Sequence, residues 1–292
     1  MASPEIKGDF VSTEWLVDEL GADDLAILDC TKFLPNAGRD AKAEFLAAHI
    51  PGARYLDIAA VSDRSNPAPN MLPGADAFGA AMEQLGIGFD ERIIVYDNSP
   101  LRTAARGWFM LRHFGAANVA VLDGGLGKWL GEGRPVESGE AVERRGRRFA
   151  AAERADEVIS KGMLLDGVRL PLVDARSRAR FTGEEADPRP TIASGHMPGA
   201  RSLPMSALYR DDGTVRDPAE LQALFDQAGV DPLQPFIASC GSGVTANSLI
   251  LAARRIGGYG GKLYDGSWSE WGADPATPKE LGPPQPPPHF RS

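Results

Sequence analysis

The chain has 292 residues, of which 43% are hydrophobic and 24% are charged, a composition that is typical of folded globular proteins and, at this length, predicts about two domains. The net charge of −9, without a long run of Lys or Arg, argues against a nucleic-acid partner, and no apolar run reaches the roughly 18 residues of a membrane span. Two cysteines and four histidines, none with ligand spacing, predict no disulfide framework, no metal and no cofactor.

The first half contains short apolar runs separated by helical patterns. LAILD ends at Asp29 and IIVYD at Asp97, while AFGAAMEQLG and RTAARGWFMLRHFG have the periodicity of helices. The apolar runs lack alternation of period two and predict strands buried on both faces of a parallel sheet. The N-terminal segment MASPEIKGDFVSTEW lacks the features of a secretory leader, so a cytoplasmic location is expected.

A polar stretch follows this first half. The segment from Gly131 to Arg148, GEGRPVESGEAVERRGRR, has little apolar periodicity and predicts a linker over residues 133–152, after a first domain of residues 1–132. Residues 282–292 are rich in proline and predict an extended or disordered tail. The second domain is therefore predicted over residues 153–281.

The second half repeats the landmarks of the first in the same order. HIPGAR from His49 returns as HMPGAR from His196, LAILD returns as LPLVD ending at Asp174, and LDGGLGKW returns as YDGSWSEW. The run IIVYD, ending at Asp97, corresponds to FIASC, ending at Cys240. Each half is thus predicted to be a small α/β domain with a mainly parallel sheet flanked by helices.

The segment IASCGSGVTAN predicts a reactive cysteine. A buried strand ends at Cys240, glycines 241 and 243 follow, and a helical pattern starts near Val244. Ligands bind at the carboxyl ends of parallel strands, and the glycines allow backbone N–H groups to turn inward and attract an anion at the helix N-terminus. We therefore expect an exposed thiolate at Cys240, because a thiol pKa of about 8.5 falls in such surroundings.

An inert, buried thiol is the alternative interpretation of Cys240. The glycine loop favours chemistry, because packing alone does not require its conformational freedom. Cys30 also follows a strand, but Thr31, Lys32 and Phe33 come next and there is no glycine loop. A structural role is predicted for Cys30.

The tandem landmarks, the two H-[IM]-P-G-A motifs, the CGSGVTA loop and the YDGSWSEW corner resemble the rhodanese family, most closely its 3-mercaptopyruvate sulfurtransferases. The resemblance runs from about Ser12 to Trp271. It implies two tandem rhodanese-like domains, of which the first is catalytically silent and carries Asp97 in the place of Cys240. It also implies an enzyme in which Cys240 accepts sulfur from a small-molecule donor as a persulfide and passes it to a thiophilic acceptor, such as cyanide, a thiol or thioredoxin.

The charge of the loop bears on the sulfur donor. Rhodaneses that use thiosulfate usually place cations after the cysteine, whereas Gly241 and Ser242 are neutral here. This favours the monocarboxylate 3-mercaptopyruvate, with release of pyruvate. Thiosulfate remains the alternative donor.

The resemblance also implies site residues. Arg180 and Arg189 match arginines that bind the carboxylate and keto oxygen of the substrate, since a guanidinium offers paired donors. Arg176 and Arg178 are expected to be solvated. Ser242 is expected to act with the catalytic Cys240 by assisting proton transfer. The loop residues predicted to bind substrate are Gly241, Gly243, Val244 and Thr245.

Two positions depart from the pattern of the mercaptopyruvate enzymes. Their histidine before M-L-P is Asn70 here, and their upstream acidic residue is Ala59, so a Ser-His-Asp relay is not predicted. Lys32 stands where relatives often carry an aromatic residue, and its charge would favour a more anionic donor. His49 and His196 occur in both halves, including the half without the cysteine, which predicts a structural role.

Two other classes of protein fit parts of this pattern. A cysteine-dependent phosphatase needs an arginine at the position of Ala246, which makes that class a poor match. A non-catalytic sulfur carrier or regulatory module has no need of an intact cysteine loop. Steady turnover of donor and cyanide to thiocyanate distinguishes an enzyme from a carrier.

Overall fold

The computed structural model describes residues 6–144 and 146–284, which divide into two compact units. The first unit combines Met1–Asp63, Leu72–Ala155 and Tyr209–Val215, and the second combines Arg64–Met71, Asp156–Leu208 and Arg216–Ser292. Each half of the sequence therefore contributes one short segment to the unit built mainly from the other half. The predicted domains, residues 1–132 and 153–281, were placed from the repeated sequence landmarks. The two short segments that join the other unit contain none of these landmarks, so the sequence did not indicate them.

The first unit is built on one parallel sheet of five strands. The strands are β1 (Phe10–Val11), β2 (Leu25–Asp29), β3 (Ala53–Tyr55), β4 (Arg92–Tyr96) and β5 (Val119–Leu122). Their order is β1-β5-β4-β2-β3, and every neighbouring pair is parallel. All residues of β2, β4 and β5 are buried, as expected for strands covered on both faces.

Helices connect these strands, because a parallel neighbour is reached only by a crossover. Ser12 and Asp40 begin the first two helices by accepting the N–H groups of Trp15 and Ala43 with their side chains. The helices of the unit are α1 (Thr13–Glu19), α2 (Ala41–Ala47), α3 (Ile58–Val61), α4 (Ala75–Gln84), α5 (Ala104–His113) and α6 (Gly125–Gly131).

The second unit repeats this architecture. Its strands are β6 (Val158–Ile159), β7 (Leu172–Asp174), β8 (Arg201–Ser202), β9 (Phe236–Ser239) and β10 (Gly261–Tyr264), in the order β6-β10-β9-β7-β8 and all parallel. Its helices are α7 (Lys161–Leu165), α8 (Arg178–Thr182), α9 (Pro218–Ala228), α10 (Asn247–Ile256) and α11 (Ser267–Trp271). The predicted α/β fold with two small parallel sheets flanked by helices is confirmed. No helix among the described residues has the length and apolar character that crossing a bilayer requires.

The two motif histidines occupy equivalent buried positions. The ring of His49 stacks on Phe45 at 4.1 Å between centroids, and that of His196 stacks on Phe181 at 3.8 Å. In both, Nδ1 lies within hydrogen-bonding distance of the carbonyl oxygen of the stacked phenylalanine, at 2.7 and 2.9 Å. These contacts support the predicted structural role.

The predicted linker over residues 133–152 packs along the first unit. The indole Nε1 of Trp129 donates to the carbonyl oxygen of Pro135 at 2.8 Å, and Glu137 forms an antiparallel bridge with His49. Near the end of the stretch, the ring of Phe149 packs edge-on against Phe78 at 5.7 Å. Hydrogen bonds and single aromatic contacts hold this polar stretch against the unit. Such contacts leave no apolar periodicity in the sequence, which is why the pattern did not predict them. Of the predicted tail, residues 285–292 lie outside the described residues.

The segment Tyr209–Val215 completes the first unit. An antiparallel bridge joins Tyr209 to Val215, and the N–H of Val215 donates to Oδ1 of Asp123 at 2.8 Å. The guanidinium of Arg102 lies 5.2 Å from the ring centre of Tyr209, within range of a cation–π contact. A residue from each end of this segment is therefore fixed by the first unit.

Candidate active site

Cys240 directly follows β9, the central strand of the second sheet. This position is the carboxyl end of a parallel sheet, where open α/β folds bind ligands. Helix α10 begins at Asn247, three residues after the predicted start near Val244, and residues 241–246 form a loop. More backbone groups therefore lie outside the helix than the sequence predicts.

Several N–H groups of this loop have no protein partner. Among the residues that the structure describes, the N–H groups of Gly241, Ser242, Val244 and Thr245 donate to no protein group. Val244 is buried, whereas Gly241, Ser242 and Thr245 are partly exposed. An unsatisfied donor at a buried site costs on the order of 1–3 kcal/mol, so an anion that accepts from Val244 stabilises the loop most. The N-terminus of α10 adds favourable potential for negative charge. The arrangement can hold a sulfur anion or a carboxylate.

The shape of the loop depends on Gly243 and Asn247. Gly243 has φ +73°, and a Cβ at this position would overlap the carbonyl oxygen of Asp265 and lie 2.7 Å from its Oδ1. The buried side chain of Asn247 donates through Nδ2 to the carbonyl oxygens of Gly243 at 2.7 Å and Val244 at 2.8 Å. These two hydrogen bonds tie the loop to the first residue of α10.

The thiol of Cys240 lies beneath the corner that begins α11. The N–H of Cys240 donates to Oγ of Ser267 at 3.0 Å, and the same Oγ lies 3.9 Å from Sγ. Only 1% of the surface of Cys240 is exposed, so the prediction of an exposed side chain is wrong. The cause is the Ser267 corner, which packs on the strand end from far along the sequence. Gly241 and Ser242, the next two residues, remain partly exposed.

Cys30 has different surroundings. It is fully buried, and a Cβ at Gly107 would collide with its Sγ, so the thiol fills its space tightly. Burial raises the pKa of this thiol well above its ordinary value, and the charges of Asp29 and Asp97 raise it further. These features support the predicted structural role.

Arg180 and Arg189 are brought together by Asp187. One carboxylate oxygen of Asp187 accepts from Arg180 at 2.5 Å, and both of its oxygens accept from the guanidinium of Arg189 at 2.8 and 2.9 Å. Burial alone would raise the pKa of Asp187, but the hydrogen bonds from Arg189 and the charges of both arginines outweigh it and lower the pKa to about 2. Asp187 therefore stays ionised and fixes two cations in one place.

The arginine pair lies beside the cysteine loop. Nη2 of Arg189 reaches the carbonyl oxygen of Gly241 at 3.5 Å, and a Cβ built on Gly241 would lie 3.7 Å from Nη2 of Arg180. Nε of Arg180 is buried and, within residues 6–144 and 146–284, has no hydrogen-bond partner. A buried guanidinium donor without a partner, next to unpaired loop amides, is suited to an anionic ligand.

Arg176 differs from the prediction. It was expected to be solvated, yet its side chain is buried and pairs with Asp174 at 2.6 Å. Its guanidinium also donates to the carbonyl oxygen of Gly195 at 2.7 Å and lies 4.6 Å from the ring centre of Trp268. The ion pair compensates for the burial of this charge. Arg178 is exposed, as predicted.

Asn70 belongs to the second unit and contacts Ser242. Its Nδ2 donates to Oγ of Ser242 at 3.1 Å, and its backbone has φ +61°, an unusual conformation for a residue with a side chain. The residue that replaces the expected histidine therefore bonds directly to the predicted catalytic hydroxyl. Ala59 and Lys32 lie in the first unit, where burial lowers the pKa of Lys32 against the opposing effect of Asp57.

The matching loop of the first unit contains its own anion. Asp97 follows β4, and its carboxylate accepts the N–H groups of Ser99 at 2.8 Å and Ala104 at 2.7 Å. Burial raises the pKa of Asp97, while these two hydrogen bonds oppose the rise. A carboxyl group at this position leaves no sulfur nucleophile there, and the silent role that the resemblance implies stays a prediction.

Three further residues shape the site and were missed by sequence reasoning: Asp187, Ser267 and Ser269. Ser269 accepts from Arg189 and donates to the carbonyl oxygen of Gly241 at 2.5 Å. The position of Asp187, two residues before Arg189, was the one available signal, because an aspartate so close to an arginine can pair with it. Ser267 lies where the first half carries Gly125, and both have positive φ.

Among the described residues, no group of three or more His, Cys, Asp or Glu side chains could hold a metal.

Comparison with known proteins identifies the family. The rhodanese-like domain matches this chain twice, over residues 12–132 and 155–274. The chain belongs to the rhodanese family. This rhodanese is 39% identical to human 3-mercaptopyruvate sulfurtransferase over 281 residues, which cover 93% of the chain and 94% of the relative. It is 36% identical to bovine thiosulfate sulfurtransferase over 273 residues, with coverage of 89% and 91%.

Solved structures show the same likeness. The crystal structure of SseA, a 3-mercaptopyruvate sulfotransferase from Escherichia coli, matches this rhodanese with a TM-score of 0.81 and 38% identity, covering 90% of the chain and 100% of SseA. The predicted family is therefore confirmed, and the similar proteins are enzymes of the predicted class, the sulfurtransferases.

Replacing Gly243 with Ala should distort the cysteine loop. An alanine at positive φ costs roughly 1–2 kcal/mol, and its Cβ would also displace Asp265. We expect a lower free energy of unfolding in urea for Gly243→Ala. Gly241→Ala is the matched control, because its Cβ makes only ordinary van der Waals contacts with Arg180. Equal losses of stability in the two variants would contradict the proposed role of Gly243.

Asp187 should make the stability of the native state depend on acid pH. Its pKa of about 2 lies below the ordinary 3.8, so ionised Asp187 stabilises the folded protein above about pH 4 and loses this effect as pH falls toward 2. Unfolding free energies measured from pH 6 to pH 2.5 should fall less steeply in Asp187→Asn than in the wild type. The exposed Glu185 offers the control, since Glu185→Gln should keep the wild-type slope.

Proposed function

We propose that this rhodanese transfers sulfur from 3-mercaptopyruvate to a thiophilic acceptor through a persulfide on Cys240. The observation that carries the proposal is the set of unpaired N–H groups after β9, next to two arginines joined by Asp187. Unpaired backbone N–H groups suit a sulfur anion, and guanidinium groups suit a carboxylate. A donor that carries both groups fits this combination.

The arginines orient the donor. Arg180 offers its unpartnered Nε and Arg189 the exposed part of its guanidinium, and together they bind the carboxylate and keto oxygen of the substrate. The loop itself has no cation, because Gly241 and Ser242 are neutral, and its unpaired amides at Gly241, Val244 and Thr245 bind through dipoles alone, while Gly243 gives the loop its shape. A monocarboxylate donor needs less positive charge than the dianion thiosulfate.

The first half-reaction moves one sulfur atom. The thiolate of Cys240 attacks the substrate sulfur, forming an S–S bond as the C–S bond breaks. The electron pair of the C–S bond passes to the substrate carbon, giving the enolate of pyruvate, which takes up one proton. Cys240 is left as a persulfide, whose negative charge the loop amides stabilise.

The second half-reaction regenerates the thiolate. An acceptor such as cyanide attacks the outer sulfur and the S–S bond breaks, so that its electron pair returns to Sγ of Cys240. Donor and acceptor therefore use one covalent intermediate in turn. Thioredoxin as an acceptor and a cytoplasmic location remain predictions.

Ser242 assists proton delivery, and Asn70 sets its orientation. Because Nδ2 of Asn70 donates to Oγ of Ser242, the hydroxyl hydrogen of Ser242 is left to donate elsewhere. It can stabilise the negative charge of the enolate. Asn70 does not titrate, so the proton that reaches the enolate carbon comes from water or from the substrate thiol.

Thiosulfate is the second candidate donor, and Asn70 favours it. Attack of Cys240 on thiosulfate expels sulfite, which leaves as an anion and needs no protonation of carbon. The absence of a titratable partner for Ser242 therefore slows mercaptopyruvate turnover without slowing thiosulfate turnover. The ratio of the two activities decides between the donors.

Cys240 should carry the transferred sulfur. After treatment with 3-mercaptopyruvate alone, the intact mass should rise by one sulfur atom in the wild type and in Cys30→Ser, but not in Cys240→Ser. Thiocyanate formation with cyanide should fall to background only in Cys240→Ser, and turnover with mercaptopyruvate should exceed that with thiosulfate.

Other results would assign a different function. A mass gain in Cys240→Ser would move the persulfide elsewhere, and higher activity with thiosulfate would make thiosulfate the donor. One turnover per chain, without steady production of thiocyanate, would identify a sulfur carrier rather than an enzyme.

Asn70→His should add a pH dependence to mercaptopyruvate turnover. A protonated imidazole beside Ser242 supplies the proton that the enolate carbon needs, so kcat should rise below about pH 6.5. Thiosulfate turnover should keep the wild-type pH profile. Asn70→Ala is the control, with a lower kcat and no new inflection. The same new inflection with both donors would argue against proton supply to carbon.

A further inference from the structure

The first unit contains a cavity of about 190 Å³ at the carboxyl ends of β2 and β4. It is lined by the end of β2, by α2 and α6, and by the loop that follows β4. The duplication makes this the counterpart of the region that holds the cysteine loop and the arginines in the second unit. None of the proposed chemistry at Cys240 uses it.

Replacement of an arginine by a threonine opens one side of the cavity. Thr31 lies two residues after Asp29, whose Oδ1 accepts its N–H at 2.8 Å. Arg176 lies two residues after Asp174 and makes the same contact at 2.9 Å. The two positions are therefore equivalent, and the second unit fills with a guanidinium the space that Thr31 leaves open.

A second replacement opens another side. The N–H of Leu126 donates to the carbonyl oxygen of Asp97 at 3.0 Å, and the N–H of Trp268 makes the equivalent bond to Cys240 at 3.0 Å. The buried indole of Trp268 thus occupies the position at which Leu126 lines the cavity. Two large side chains of one unit correspond to two smaller ones in the other, which accounts for the space.

The charge at this place is reversed between the units. Arg180 immediately precedes Phe181, which stacks on His196, whereas Glu44 immediately precedes Phe45, which stacks on His49. A carboxylate therefore replaces the guanidinium. Buried Asp29 and the amide of Asn98 also line the cavity, and none of its lining residues is cationic.

We propose that this cavity binds a small organic cation, consisting of one apolar ring that carries an ammonium group. An apolar cavity of about 150 Å³ holds benzene, so this space admits one ring against Phe45, Leu126 and Leu130. The ammonium pairs with Glu44. Glu44 already accepts from Nη2 of Arg39 at 2.6 Å, from Nε of Arg39 at 2.7 Å and from Nδ2 of Asn98 at 3.5 Å. Because the side chains of Arg39 and Glu44 are 40% and 34% exposed, solvent screens their ion pair, and the ammonium binds by displacing Arg39.

Benzylamine and benzoate are matched probes of size and opposite charge. Titration of the full chain, followed by isothermal calorimetry, should give millimolar binding of benzylamine and at least tenfold weaker binding of benzoate. Glu44→Gln, which leaves the volume unchanged, should weaken benzylamine binding at least threefold, and Arg39→Ala should strengthen it. Leu126→Trp, which copies the residue of the second unit, should abolish it.

Three outcomes would overturn the proposal: no heat from benzylamine at millimolar concentration, equal binding of benzoate, or unchanged affinity in both Glu44→Gln and Leu126→Trp. Cys240→Ser provides the control for location. It should bind benzylamine as the wild type does, and lost binding would place the probe at the cysteine loop instead. Because Glu44→Gln tests charge without altering packing, a folding defect in Leu126→Trp leaves the test valid.

Discussion

The structure depends on the backbone N–H groups between a central strand and the next helix, which offer hydrogen bonds to a negatively charged group. In the first unit the carboxylate of Asp97 supplies it by accepting two of these groups. In the second unit the loop has the shorter side chain of Cys240, and its amides at Gly241 and Ser242 stay without protein partners. One scaffold thus holds at the same position either a buried carboxyl group, whose oxygens accept two N–H groups, or a transient sulfur anion.

The charged side chains beside the Cys240 loop are suited to binding an anion. Two guanidinium groups close to each other would repel, and Asp187 allows both to face the same side. Two positive charges and one negative charge leave a net charge of one positive unit, which matches a single carboxylate. Sγ of Cys240 is buried, and the electrostatic interactions of a buried sulfur anion are stronger than they would be in bulk water. The Ser267 corner therefore both limits access to the thiol and strengthens the electrostatics that the thiol uses.

The sequence predicted the parts of the site that depend on neighbours along the chain. Repeated landmarks revealed both sheets, and the glycines after Cys240 revealed its loop, because turns and strand ends are local features. The functional assignment of Arg180 and Arg189 rested on family resemblance. The burial of Cys240 and Arg176 was not predicted, because Ser267 and Trp268, which lie over them, come from a distant corner. The open space beside Leu126 could be recognised only by comparing the two units after folding.

The exchange of short segments has a consequence for biosynthesis. Arg64–Met71 leaves the ribosome early but belongs to the second unit, and Tyr209–Val215 belongs to the first unit although it is made after all five of its strands. A fragment that ends near residue 155 therefore lacks Val215 and its hydrogen bond to Asp123. Either half of the sequence, made alone, would thus omit one segment of its own unit.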